Sequence, residues 1–158
     1  MVVIVLVVVA FVLFRDANRD DVQSPVRTVD YAQPAEYARQ QAGFELLAPS
    51  SLPEGWRATS VRFTPGAEER WHLGLLTDAG DYVGLEQSGS SVGSMLETHV
   101  DPETERGDPV TVAGQRWQTW TDAGGDLALV RQDGETTTLV VGNEVAEDEL
   151  AAFVASLR

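Results

Sequence analysis

Cysteine is absent from all 158 residues. That removes disulfides, thiolate metal sites, a cysteine nucleophile and a lipidated N-terminal cysteine. The compartment stays open, because exported proteins often carry disulfides without requiring them. Lysine is absent as well, so all eleven basic residues are arginines, set against 25 acids for a net charge of −14. No stretch gathers those arginines, which argues against nucleic acid and against docking on anionic lipid headgroups. Histidine occurs twice, at His72 and His99. One imidazole beside the scattered carboxylates Glu97, Asp101 and Glu103 lacks the spacing of a closed metal site. Neither a P-loop nor a dinucleotide fingerprint is present.

What remains has the make-up of an ordinary folded protein. Hydrophobic residues form 43% of the chain and charged residues 23%, enough for one ordered core, and the length fits one domain with an appendage.

The appendage is at the start. Residues 1–14 read MVVIVLVVVAFVLF, an unbroken apolar run closed by Arg15 and Asp16. As a helix this spans roughly 21 Å, short of the roughly 30 Å of a bilayer core. A cleaved signal would need a basic start and an A-x-A site, and neither is seen. The expectation is an uncleaved transmembrane anchor whose true start lies upstream. Arg15, Arg19 and Arg27 follow the run and by themselves argue for a cytoplasmic C-terminus. Residues 15–43 read as a juxtamembrane linker with one short helix, marked by Pro34 near its start and Gly43 past its end.

Residues 44–158 carry the domain. Alternation predicts strands at Arg57–Thr64, Arg70–Leu76, Tyr82–Gln87, Pro109–Val112, Arg116–Thr121, Leu127–Gln132 and Thr136–Val141. Short turns such as Thr77 to Gly80 make neighbours antiparallel. Helical spacing follows at Ser91–Val100, with Val92, Met95, Leu96 and His99 on one face. It returns at Ala146–Leu157, with Leu150, Phe153, Val154 and Leu157 on one face. The expected fold class is α+β: an antiparallel sheet of six to seven strands with helices packed on one face, and a degenerate βββα duplication as one reading of the repeated pattern. Asp101 to Asp108, DPETERGD, reads as a solvated loop.

Gly89 to Gly93 matches G-x-S-x-G between a strand and a helix. That motif belongs to a parallel sheet with a histidine well downstream of the serine, and His99 is the only later histidine, so a plain Gly/Ser loop is the reading preferred. Aromatic residues are the better candidates for binding. Trp117 and Trp120 leave opposite faces of one strand, and an exposed tryptophan marks a contact surface, although hairpin packing accounts for the same pattern. Tyr82 and Glu86 share a face of their strand, and Gln87 points to the other.

Several segments carry a resemblance: the apolar start, Leu52-Pro53-Glu54-Gly55-Trp56-Arg57, Trp71-His72-Leu73-Gly74, Leu129-Val130-Arg131 and above all Tyr82-Val83-Gly84-Leu85-Glu86-Gln87-Ser88. With the final helix they cover nearly the whole chain, which resembles the actinobacterial family called domain of unknown function 4245. The resemblance implies a single-pass membrane protein with an extracytoplasmic domain. Members usually carry basic residues ahead of the span, which this chain lacks. An analogy to PsbP-like α/β/α domains extends to the fold alone.

Together these readings give an expectation of a non-catalytic binding or scaffolding domain of the cell envelope. Its candidate binding residues are Trp71, Tyr82, Glu86, Gln87, Trp117, Trp120 and Arg131. No catalytic residue, metal ligand or cofactor is assigned. The partners expected are the membrane, through the N-terminal helix, and another envelope protein or small ligand. A carrier of an apolar ligand is the alternative, and a hydrolase comes third.

Overall fold

The computed structural model describes residues 26–158. The apolar run 1–14 and the first part of the linker lie outside them. Among the described residues no helix is long and apolar enough to cross a membrane.

Among the described residues three helices and eight strands follow one another: α1 (Ala32–Gln41), β1 (Arg57–Thr64), β2 (Arg70–Leu76), β3 (Tyr82–Ser88), α2 (Val92–His99), β4 (Glu105–Arg106), β5 (Val110–Val112), β6 (Gln115–Thr121), β7 (Asp126–Asp133), β8 (Thr136–Asn143) and α3 (Glu147–Ala155). The strands make one eight-stranded sheet in the order β1-β2-β3-β8-β7-β6-β4, and β5 also pairs with β6. Every pairing is antiparallel. The fold class is therefore α+β as expected, with one strand more than the six to seven anticipated. The extra strand is β4, inside the segment read as a solvated loop. Both its residues are exposed, so no burial pattern marks them, and only pairing with β6 makes them a strand.

Period two divides the sheet into a core face and a cleft face. The core face gathers Trp71, Leu73, Leu75, Val83, Leu85, Leu129 and Val140 beneath α3, which adds Leu150, Phe153 and Val154. Phe153 stacks on Trp56 with ring centres 5.4 Å apart. Helix α1 belongs to the same core through Ala35 and Ala38, and Val29 N–H donates to the Ala58 carbonyl beside it. On the opposite side a smaller cluster joins Met95 and Leu96 of α2 to Ala128, Val130, Leu139 and Val141.

The helices thus occupy both faces, which corrects the expectation of one covered face. A helix's apolar stripe shows that it packs on the sheet and leaves open which side it takes. The same finding bears on the repeat. β1–β3 and β6–β8 meet antiparallel through β3 and β8, an arrangement related by a two-fold normal to the sheet, and that operation would place α2 and α3 on the same face. They do not share one, so the likeness of the two halves is confined to strand order.

Gln87 ties the long Phe44–Trp56 connection to this framework. Its buried side chain accepts from Leu47 N–H at 2.7 Å and donates to the Glu45 carbonyl and to Thr138 Oγ1 at 3.1 Å each. An interior amide survives because its partners satisfy it.

Trp71 is the largest side chain of the core face that is fully buried. Trp71→Ala is expected to lower the unfolding free energy of the full chain by about 3–5 kcal/mol, read as an earlier midpoint in urea at unchanged slope.

Candidate functional site

Two rows of side chains cross the cleft face, one residue from each strand. The first runs Arg62, His72, Glu86, Leu139, Val130, Gln118, and the second Ser60, Gly74, Gly84, Val141, Ala128, Trp120. Both change character at the β3–β8 seam. The β8–β7 half is apolar and lies under α2; the β1–β3 half is polar or glycine and is left open.

The open half holds a cleft of about 420 Å³ lined by Ser60, Arg62, Arg70, His72, Tyr82, Glu86, His99 and neighbouring β1 residues. Its size is that of a small-molecule site. A slightly larger hollow of about 460 Å³ lies among Gly43, Phe44, Glu68, Glu69, Gly89 and Glu135. No histidine lines it, and it gathers no comparable polar chain.

Within the cleft the register produces that chain of bonds. His72 stands directly across from Glu86, and its Nδ1 lies 2.5 Å from Glu86 Oε1. The Nε2 atom lies 2.7 Å from Ser60 Oγ. An ionised carboxylate only accepts, so a proton belongs on Nδ1, and in the tautomer that carries its single proton there Nε2 is an acceptor for the Ser60 hydroxyl. From the last turn of α2, His99 Nδ1 comes within 3.8 Å of the same Glu86 oxygen. The Glu86 side chain is only 10% exposed. A carboxylate desolvated to that degree needs such partners.

Local backbone features place these groups. Between Ala58 and Ser60 the β1–β2 register shifts, a bulge at Thr59 that sends Ala58 into the core and Ser60 onto the opposite face. Thr59 Oγ1 donates to the Gly74 carbonyl at 3.2 Å and holds the bulge. Gly74 and Gly84 face each other across β2 and β3. A Cβ on Gly74 would collide with Ser60 Oγ and meet the Tyr82 ring at 3.3 Å, and one on Gly84 would meet the Tyr82 hydroxyl at 3.0 Å. The glycine pair is the floor over which the Tyr82 ring lies.

Of the residues expected to bind, the structure brings Tyr82 and Glu86 together and separates the rest. Trp71 and Gln87 are sealed in the core face. Trp117 is also buried there, with the Arg131 guanidinium 5.5 Å from its ring. Trp120 leaves by the other face, packed against the α2 cluster with Arg106 5.9 Å from its ring. Ser60, Arg62 and Arg70 carried no signal in sequence, and His72 and His99 looked isolated there. The signal that was available is hairpin arithmetic: a tight turn centred on Ala79 pairs residue 72 with residue 86.

The G-x-S-x-G serine has a local role. Ser91 Oγ accepts Ser94 N–H at 3.3 Å as the N-cap of α2.

These features define a class: an antiparallel α+β domain with one helix-covered half-face and one open polar cleft. Residues 1–157 match the family described as protein of unknown function (DUF4245), and the chain belongs to that family. No curated protein matches the sequence. Among solved structures, the crystal structure of MucB in complex with MucA(peri) is similar at 20% identity and a TM-score of 0.38, over 76% of this chain and 40% of that one. The chain spans less than half the length of that neighbour.

Burial first, and the Glu86 carboxylate second, raise the Tyr82 hydroxyl above its ordinary value of 10.0. The folded state therefore keeps this proton to higher pH than the unfolded chain. The resulting stability is complete below about pH 10 and is lost as pH rises through the folded value. Phenolate absorbance, with Tyr82→Phe identifying the signal, is expected to show Tyr82 titrating above 10. Glu86→Gln should bring it part of the way back, leaving the share due to burial.

Proposed function

We propose that this is a membrane-tethered protein of the cell envelope whose extracytoplasmic domain binds a small anionic ligand, carboxylate or phosphate, in the cleft between Arg62, His72, Tyr82 and His99. One observation carries the reading. Arg62 lines an open cleft in a strongly acidic protein, and among the described residues no carboxylate lies within 4.0 Å of its guanidinium. A cation left unpaired against so negative a background selects anions, and a guanidinium matches carboxylate and phosphate by its fork of donors. Arg70 adds a second cation at the rim, loosely held 3.9 Å from the exposed Glu68. The polar lining favours this reading over a carrier of apolar molecules. An aromatic protein-docking surface draws no support either, because three of its four candidate tryptophan and arginine members face the core.

Tethering rests on the apolar run 1–14 and on the family's resemblance to anchored proteins. It has a direct check. The full chain is expected to sediment with membranes and resist extraction by carbonate, whereas a chain lacking residues 1–14 should be released; release of the full chain would overturn the tether.

For the ligand, calorimetric titration of the detergent-solubilised full chain with inorganic phosphate and short carboxylates is expected to show saturable binding. Loss of one charge-assisted contact is worth about 1.5–3 kcal/mol, so Arg62→Ala should weaken binding tenfold to a hundredfold. Affinity indifferent to Arg62 would remove the cleft from consideration.

A further inference from the structure

We propose that Ser60, His72 and Glu86 form a nucleophilic relay, and that the cleft hydrolyses ester substrates that carry an anionic group. The proposal rests on the anion-binding reading for its substrate class and on independent geometry for its chemistry. Three side chains from three adjacent strands connect in the sense that activates a serine. The acid meets Nδ1 at 2.5 Å, and the hydroxyl meets Nε2 at 2.7 Å. This is the order in which an acid orients an imidazole and the imidazole removes a hydroxyl proton.

Burial is graded to match. Glu86 is nearly enclosed and His72 is 29% exposed, while Ser60 lies at the cleft wall on the edge strand. A purely structural network would have no need to end on a hydroxyl in a 420 Å³ opening. The bulge at Thr59 and the missing Gly74 side chain both favour that placement, since a Cβ on Gly74 would collide with Ser60 Oγ.

The step balances as follows. Ser60 Oγ bonds to the acyl carbon as its proton passes to His72 Nε2, and Glu86 stabilises the imidazolium through Nδ1–H. The C–O bond to the alcohol then breaks, and the departing oxygen takes that proton from Nε2. Water repeats the sequence on the acyl-enzyme, releasing the carboxylic acid and restoring Ser60. Backbone N–H groups of β2 are committed to the ladders on either side. Negative charge developing on the substrate oxygen is therefore met by side chains, with the Arg62 guanidinium and the Tyr82 hydroxyl lining the same space. His99, whose Nδ1 lies 3.8 Å from the same Glu86 oxygen, is a positioning residue that acts on the carboxylate rather than on the substrate.

The test uses the solubilised full chain with a fluorophosphonate, in which Ser60 Oγ displaces fluoride from phosphorus, followed by peptide mapping. Hydrolysis of p-nitrophenyl acetate is measured in parallel. The expected result is one adduct, on Ser60, absent in Ser60→Ala and slowed at least a hundredfold in His72→Gln. Glu86→Gln should slow it tenfold or more, Arg62→Ala should slow it without abolishing it, and Ser91→Ala should leave it unchanged. Wild-type protein that binds phosphate yet takes no label overturns the relay while sparing the binding reading. Labelling on Ser60 with phosphate affinity indifferent to Arg62 does the reverse. An adduct on Ser91 overturns the assignment.

Should Ser60→Ala fail to fold, Ser60→Cys gives the chain its only thiol. That thiol is expected to react with iodoacetamide at least tenfold faster than free cysteine at neutral pH, and to lose the advantage when His72→Gln is added. A thiol no faster than free cysteine would equally sink the relay.

Discussion

Everything described depends on the seam where β3 pairs with β8. It joins two three-stranded meanders into one sheet, and through strict alternation it makes β3 serve both faces. Leu85 and Gln87 face the core, one filling it and the other clamping the Phe44–Trp56 connection by two hydrogen bonds while a third anchors it to Thr138 of β8. Glu86 and Ser88 face the other way. Ser88 Oγ reaches Met95 Sδ at 3.1 Å and so helps seat α2, and Glu86 is left at the boundary between covered and open sheet. A one-residue slip of this strand would exchange the clamp with the carboxylate and lose both.

That boundary explains the electrostatics. α2 lies over β7 and β8 and stops at His99, so Glu86 is shielded by a helix on one flank and open to the cleft on the other. Shielding makes its charge expensive without partners, and two imidazoles supply the response. The surrounding chain is strongly acidic, yet the rim of this one cleft carries Arg62 and Arg70. Its local sign is opposite to that of the whole molecule.

Much of the fold was legible because burial writes itself into spacing. The bounds of β1 and β2 match the alternation residue for residue, and α2 buries Met95 and Leu96 of the face anticipated for it. β4 was illegible because a two-residue exposed strand has no period. Which face each helix would take was illegible because amphipathicity is a property of the helix alone. At the site, Tyr82 and Glu86 could be placed together from parity within one strand. His72 needed the arithmetic of one tight hairpin to be set opposite Glu86, and Ser60 could not be placed, since its meeting with His72 needs a bulge, and a bulge inverts parity where the eye expects it to continue. The tryptophans misled for a related reason: parity separates Trp117 from Trp120 but gives no account of α2 and Arg106 closing over the second.

The bulge at Thr59 carries one further implication. Edge strands commonly tolerate insertions and deletions because few neighbours hold them. Here the extrusion of Thr59 keeps Ser60 opposite Gly74; unbroken alternation from Ala58 with Thr59 in the ladder would turn Ser60 to the core and the isopropyl group of Val61 into the cleft. Which chemical group the cleft presents thus turns on whether one edge residue stays outside the ladder.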